Sequence, residues 1–309
     1  MARHATIAWV IRYQPLFAML RVPVILNPAS GPDQPTLKIL NRAFNAAQQD
    51  WELFLTRKAG DAARLAEELY LAGEKLIAVC GGDGTVKEVA SALAGRAVNL
   101  AILPGGTGNA LARDLGIPID LAAAVALVCG PHKIRPVDMG RLGERLFILR
   151  VSLGLETEIL RSAGRDLKDQ LGLLAYPLSA WQSVARVPFT HYTLTIDGQT
   201  MTIVGVQCTV ANSAQMGVGG LNLAQGANVS DGLLDVIVLT HVAWDSLAAI
   251  AASNLLGQDT GVEVQHWSGR EIRIEAEPPQ DVAIGGEIVA QTPVTISVWP
   301  SALNLVVPK

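Results

Sequence analysis

From position 21 the chain alternates short apolar runs with longer segments whose apolar residues recur every three or four positions. That rhythm predicts parallel β-α units: a strand buried on both faces reads as a continuous apolar run, and each covering helix shows one apolar stripe. "RVPVILNP", "WELFLT", "KLIAVCGG" and "NLAILPGG" are the expected strands. "TLKILNRAFNAAQQ", "DAARLAEELYLAG", "TVKEVASALAG" and "GNALARDLGIP" are the expected helices, stopped by Gly73, by Gly95, and by Gly116 with Pro118. Beyond about position 135 the period becomes two, with turns at Asp197-Gly198 and Gly285-Gly286, as in antiparallel β structure. Helices are expected in that second, mainly β domain at about 167–184 and 244–256, and the terminal "LNLVVPK" is a strand able to rejoin the first domain.

Composition changes this picture little. At 309 residues and 50% hydrophobic the chain can bury a sizeable core, and a formal charge of -4 gives no basis for binding nucleic acid. Cys80, Cys129 and Cys208 are odd in number and far apart, which reads as reduced, buried thiols of a cytosolic protein. Residues 1–20 are interrupted by Arg12 and Pro15, so they read as a leader, either disordered or amphipathic at a surface, and not as a spanning helix.

The chemistry lies in the loops. Three expected strands end in "NPASG", "GGDGT" and "PGGTGN", and in an open parallel sheet the carboxyl ends of the strands share one edge, so the loops should meet in one crevice. Gly81, Gly82 and Gly84 allow close backbone approach at the start of a helix, which is a phosphate cradle or, alone, merely a tight turn. Asp83 would repel bare phosphate but could hold a metal ion beside it, and Thr85 could cap the helix or bond a phosphate oxygen. Neither the Lys-Ser/Thr ending of a P-loop nor the GxGxxG spacing is present.

Together "NPASG", "GGDGTVKEV", "LPGGTGNALAR", "VDMGRL", "SDGLLDV" and the closing "GGE...TP...P.AL...VP" resemble the diacylglycerol kinase catalytic-domain family, which includes bacterial lipid kinases and sphingosine kinases and has a nucleotide domain related to that of NAD kinases. The resemblance implies an α/β class: an N-terminal parallel-sheet nucleotide-binding domain (21–135, with a C-terminal strand at about 300–309) and a mainly antiparallel β-sandwich domain (136–299). It implies ATP and Mg2+ as cofactors and a lipid hydroxyl as acceptor, all meeting in the interdomain cleft. Asn27, Pro28, Ala29, Ser30, Gly31 and Thr56 would touch the nucleotide, and Gly81, Gly82, Asp83, Gly84, Thr85, Val86 and Lys87 would wrap the phosphates, with a further hydroxyl from Thr107. Asp231, with the carbonyls of Asn228 and Leu233, would hold Mg2+, and Asp138 matches a further family acid or is an ordinary strand-end residue. Glu287 is the expected proton acceptor and Asp83 its catalytic companion.

Two positions depart from the family pattern. Ala110 stands where many bacterial members have an acid, a feature shared with sphingosine-kinase-like members. Gly285 stands where most members have the aspartate of "DGE", which removes one of two acids near the acceptor hydroxyl; Asp281 could replace it only in a rearranged hairpin. The resulting expectation is a lipid kinase, with a non-catalytic nucleotide or lipid sensor and a kinase of a soluble acceptor such as NAD as alternatives. The expected setting is cytoplasmic, with transient contact to a membrane surface, for which Trp9, Tyr13 and Phe17 are candidates; a homodimer is compatible with the sequence.

Overall fold

The computed structural model describes residues 21–162, 189–213, 227–241 and 263–309. The leader and both helices expected at about 167–184 and 244–256 lie outside the described residues.

Strands β1 (Val22–Leu26), β2 (Trp51–Leu55), β3 (Leu76–Gly81) and β4 (Asn99–Pro104) run parallel in the order β2-β1-β3-β4. Side-chain alternation splits the core in two: Ile25, Ile77, Val79, Leu100 and Ile102 face one side, and Val24, Leu26, Ala78, Cys80 and Leu103 the other. Helices α2 (Asp61–Leu71) and α3 (Asp83–Leu93) cover the first side through Ala62, Leu65, Ala66 and Leu69 and through Val86, Val89, Ala90 and Leu93. Both sets recur at helical spacing. On the opposite side lie α1 (Thr36–Ala46), whose buried Phe44 stacks on Trp51, and α5 (Leu121–Cys129). The sequence reading did not foresee α5: "LAAAVALVC" has almost no polar position to reveal a period, although Asp120 caps it by accepting the Ala123 N–H at 2.8 Å. Helix α4 (Ala110–Asp114) is a single turn and a half, shorter than the expected span.

The chain then enters antiparallel structure. β5 (Lys133–Leu142), β6 (Arg145–Phe147), β8 (Thr190–Ile196), β9 (Gln199–Gly205), β13 (Glu271–Glu277) and β16 (Val294–Val307) extend the parallel sheet, giving ten strands among the described residues. β16 links the two regimes: Asn304 and Leu305 lie parallel to Asn99 and Leu100 of β4, while its earlier residues pair antiparallel with β13 and, along most of its length, with β5. A second sheet holds β7 (Arg150–Gly154), β10 (Gln207–Ala211), β11 (Leu234–His241), β12 (Glu263–Gly269), β14 (Asp281–Ile284) and β15 (Glu287–Gln291), in the order β12-β11-β10-β7-β14-β15. Tyr192, Leu194, Ile272, Ile274 and Ile296 of the first sheet pack on Leu153, Val210, Val236, Val238 and Val282 of the second, so the antiparallel region is a sandwich around one core. Helix α6 (Leu155–Ser162) follows β7 directly.

Candidate active site

In the parallel order β2-β1-β3-β4, the chain direction across the sheet reverses between β1 and β3. Loops leaving the carboxyl ends of strands at such a switch point diverge and leave a crevice between them. Here those loops begin at Asn27 and Gly82, and they are tied together. The Asn27 N–H donates to the Cys80 carbonyl at 3.0 Å. Its Nδ2 donates to Thr85 Oγ1 at 2.9 Å, while its Oδ1 accepts the Ala29 N–H at 3.0 Å. Ser30 Oγ lies 3.5 Å from the same Thr85 hydroxyl. Pro28 and Ala29 are left exposed on the rim.

The third loop packs on the other two through glycine. A Cβ on Gly31, whose φ is +77°, would lie 2.0 Å from the Gly105 carbonyl oxygen. A Cβ on Gly106 would come within 2.4 Å of Gly82 Cα. Asn109, left-handed at φ 50°, closes the loop on itself by accepting the Gly106 N–H at 3.0 Å and donating to its carbonyl at 2.7 Å. The sequence reading did not single out Asn109, although Asn is the residue type most at ease in a left-handed conformation after Gly. Thr107 is exposed at the loop tip, and Thr56, buried at the end of β2, donates its N–H to the Leu26 carbonyl at 3.0 Å.

Helix α3 starts with no side-chain cap; its N-cap is the extended Gly82. Its first N–H groups therefore have no partner within the helix, and a Cβ on Gly84 would meet nothing within 4 Å. This end of the helix is open, positively polarised and bordered by glycine, which suits an anionic oxygen.

Asp83 does something the sequence did not reveal. Its Oδ1 accepts the Ala110 N–H at 2.8 Å, and its Oδ2 is 2.8 Å from where a Cβ on Gly108 would be, so the carboxylate clasps the start of α4. Burial raises its pKa, opposed by N–H groups of Ala110, Leu111 and Asn109 and by the charge of Arg150. Arg150, in β7 of the second sheet, pairs with the buried Glu156 at 3.2 Å. Asp83, Arg150 and Glu156 thus form an electrostatic link between the parallel region and the sandwich. No motif announced Arg150, the one charged residue of β7, at its first position.

The tip of the β14–β15 hairpin reaches the same helix. Ile284 pairs with Glu287 across a two-residue turn in which Gly285 and Gly286 have φ of +58° and +78°. Positive φ at both central residues is the type I′ pattern that favours Asn-Gly and Asp-Gly as well as Gly-Gly, so glycine at 285 keeps the turn and removes only the carboxylate. A Cβ on Gly285 would lie 3.8 Å from Lys87 Nζ in α3, and one on Gly286 would lie 4.0 Å from Leu160 of α6. Glu287 is exposed beside this tip. Asp281 stands at the far end of the hairpin opposite Gln291 and pairs with Arg161 at 2.5 Å, away from the turn.

The loop carrying Asn228, Asp231 and Leu233 is held separately. No hydrogen bond among the described residues joins it to the glycine-rich loops. Asp138, 2% exposed, straps it down: its N–H donates to the Val229 carbonyl, one carboxylate oxygen accepts the Gly232 N–H and the other the Ser301 N–H, each at 2.7 Å. Arg135 donates to Asn228 Oδ1 at 2.6 Å and to Ser230 Oγ at 2.9 Å. Asp231 remains exposed, with Oδ1 accepting the Leu233 N–H at 3.0 Å. Partial burial and then the charges of Asp235 and Asp138 raise its pKa, a strain that a cation would relieve. A hard cation fits this carboxylate. The Asn228 carbonyl fits less well, because it already accepts the Ser230 and Asp231 N–H groups at 2.7 and 3.3 Å. Among the described residues no cluster of three or more His, Cys, Asp or Glu could hold a metal, so the loop would bind one mainly through Asp231 and backbone oxygens.

Comparison with known proteins agrees with this layout. Residues 21–142 match the diacylglycerol kinase catalytic domain, and residues 150–307 match the YegS C-terminal NAD kinase beta sandwich-like domain. The chain belongs to the diacylglycerol kinase-like family. A "Probable lipid kinase YegS-like" of Pseudomonas aeruginosa is 35% identical over 280 residues, covering 86% of this chain and 89% of that protein. An uncharacterized Synechocystis protein is 33% identical over 245 residues, and the chain spans 55% of its length. A Bacillus anthracis structure described as a candidate diacylglycerol kinase superposes with a TM-score of 0.79 at 27% identity, covering 96% of this chain and 98% of that one. For this diacylglycerol kinase-like chain, the stretch between the two family matches, from 142 to 150, holds β6 and ends at β7, which carries Arg150.

Proposed function

We propose that the chain is an ATP-dependent lipid kinase that works in the cleft between the parallel region and the hairpin tip. One observation carries the reading: three interlocked loops leave the first turn of α3 open at Gly84, and the turn preceding Glu287 abuts that same helix beside Lys87. The phosphates of ATP would lie against the N–H groups at the start of α3, with Asn27, Ser30 and Thr85 on one side and Gly106 on the other. The acceptor hydroxyl oxygen would form a bond to the γ-phosphorus as the bond to the β,γ-bridging oxygen breaks. ADP leaves, and the hydroxyl proton passes to the Glu287 carboxylate. Mg2+, when bound with the nucleotide, would neutralise phosphate charge; Asp231 with its loop carbonyls, held apart from the glycine-rich loops, would hold a Mg2+ of its own. The relatives named as lipid kinases support a lipid acceptor. A lipid acceptor would be met at a bilayer surface; no helix among the described residues is long and apolar enough to cross a membrane.

Gly285 favours a second reading, a protein that binds nucleotide without turning it over. Incubation of the purified protein with γ-labelled ATP, Mg2+ and separate vesicles containing diacylglycerol, monoacylglycerol, sphingosine or phosphatidylglycerol, with NAD as a soluble control, separates the possibilities. The lipid-kinase reading expects label in one lipid at about 1 to 100 turnovers per second. Label in NAD alone, or saturable ATP binding with no label anywhere, would overturn it.

A further inference from the structure

The hairpin tip places glycine against a cation. Lys87 Nζ is 3.8 Å and its Cδ 4.0 Å from where a Cβ on Gly285 would lie, so a carboxylate at 285 would be within ion-pairing reach of the ammonium. Among the described residues the Lys87 ammonium makes no hydrogen bond and no ion pair, whereas Arg150 is matched by Glu156, Arg161 by Asp281 and Arg64 by Asp61 and Glu68. Its stem is half-buried, on the first turn and a half of the helix whose open end borders the glycine loops. A long side chain anchored there and ending at the hairpin points from the phosphate cradle toward the residue proposed to deprotonate the acceptor. Its charge therefore lies at the hairpin tip, beside the turn that precedes Glu287.

We infer that Lys87 binds the γ-phosphoryl group of the nucleotide, and that glycine at 285 leaves this cation free to do so. The inference rests on the proposed nucleotide site and deepens it. Gly285 is then no lesion. An aspartate there would be held in a left-handed conformation that Asp tolerates, and its carboxylate would take the ammonium from the nucleotide. A charged hydrogen bond to a terminal phosphoryl discriminates ATP from ADP, which lacks that group, while backbone N–H groups serve the inner phosphates of both.

The test is calorimetric titration of the full chain with ATP and with ADP, for wild type, Lys87→Met, Gly285→Asp and Gly285→Asn. Methionine preserves the buried stem, and asparagine matches aspartate in shape and φ tolerance without its charge. Expected is a loss of roughly ten- to a hundredfold in ATP affinity in Lys87→Met and Gly285→Asp, with ADP affinity unchanged and Gly285→Asn close to wild type. Circular dichroism and thermal melts establish that each variant is folded; should Gly285→Asp not fold, Lys87→Met alone decides. Equal losses for ATP and ADP, or no loss in Lys87→Met, would overturn the inference while leaving the nucleotide site standing. Absence of any nucleotide binding by the wild type would instead defeat the proposed site itself.

Discussion

Asp83 and Asp61 show how a carboxylate's partners decide what its charge does. Both open helices, yet their surroundings are opposite. The N–H groups of Arg57 and Lys58 hold the Asp61 carboxyl below its ordinary range, so Asp61 contributes stability that is present above the unfolded-state value and lost as pH falls through the lower folded one. Burial holds Asp83 above its ordinary range, so its ionised form costs stability, and that cost is relieved as pH falls through its raised value. Asp83→Asn would keep an oxygen to accept the Ala110 N–H and would remove a buried charge. We expect its melting temperature at pH 7 to equal or exceed that of wild type, while Asp61→Asn melts lower. Thermal melts from pH 7 down to about pH 2, below the ordinary carboxylate range, check both signs. Glu287→Gln should cut kcat by about a hundred- to ten-thousandfold without lowering ATP affinity, measured by steady-state kinetics beside equilibrium binding. The identity of Asp83 as an unusual residue among glycines was legible in the sequence. Its engagement with Ala110 was not, because that partner comes from another loop and depends on how the loops stack.

The glycine loops and the hairpin were legible as turns because their spacing carries local constraints, but not as an interlocked set. Gly31 is the sharpest case. Its φ of +77° and the approach of the Gly105 carbonyl both exclude a side chain, so Gly31→Ala must displace one loop from the other. We expect a loss of about 1–3 kcal/mol in stability, read by urea denaturation, together with weaker ATP binding. Retention of full affinity would show that the first loop does not form a wall of the site. The parallel strands and their amphipathic helices were recovered because a strand buried on both faces and a helix buried on one leave different periods. Helix α5 was missed because an apolar segment without a polar face has no phase, and α6 because eight residues after a strand carry too little pattern to separate from it.

At the level of the whole chain, β16 is where sequence order and spatial order part. The apolar run "LNLVVPK" predicts a C-terminal strand at about 300–309 able to rejoin the first domain; the observed strand begins at Val294, pairs with β13 in the sandwich region, and ends parallel to β4 with Leu305 fully buried. One strand therefore serves both regions, and a local reading cannot see a strand that changes partners along its length. Leu305→Ala should cost about 2–5 kcal/mol and lower a single melting transition, since both regions share this strand. Two separate transitions would contradict that coupling. Under the proposed function this coupling matters, because the glycine-rich loops and the hairpin belong to different regions and would have to hold a fixed relation for in-line transfer. The central claim is that this relation moves a phosphoryl group from ATP to a lipid hydroxyl. The most direct measurement is transfer of label from γ-labelled ATP to lipid in mixed vesicles, by wild type beside Glu287→Gln. Labelled lipid formed by wild type and nearly abolished in Glu287→Gln is the predicted result; ATP bound by wild type with no lipid labelled under any vesicle composition would contradict it.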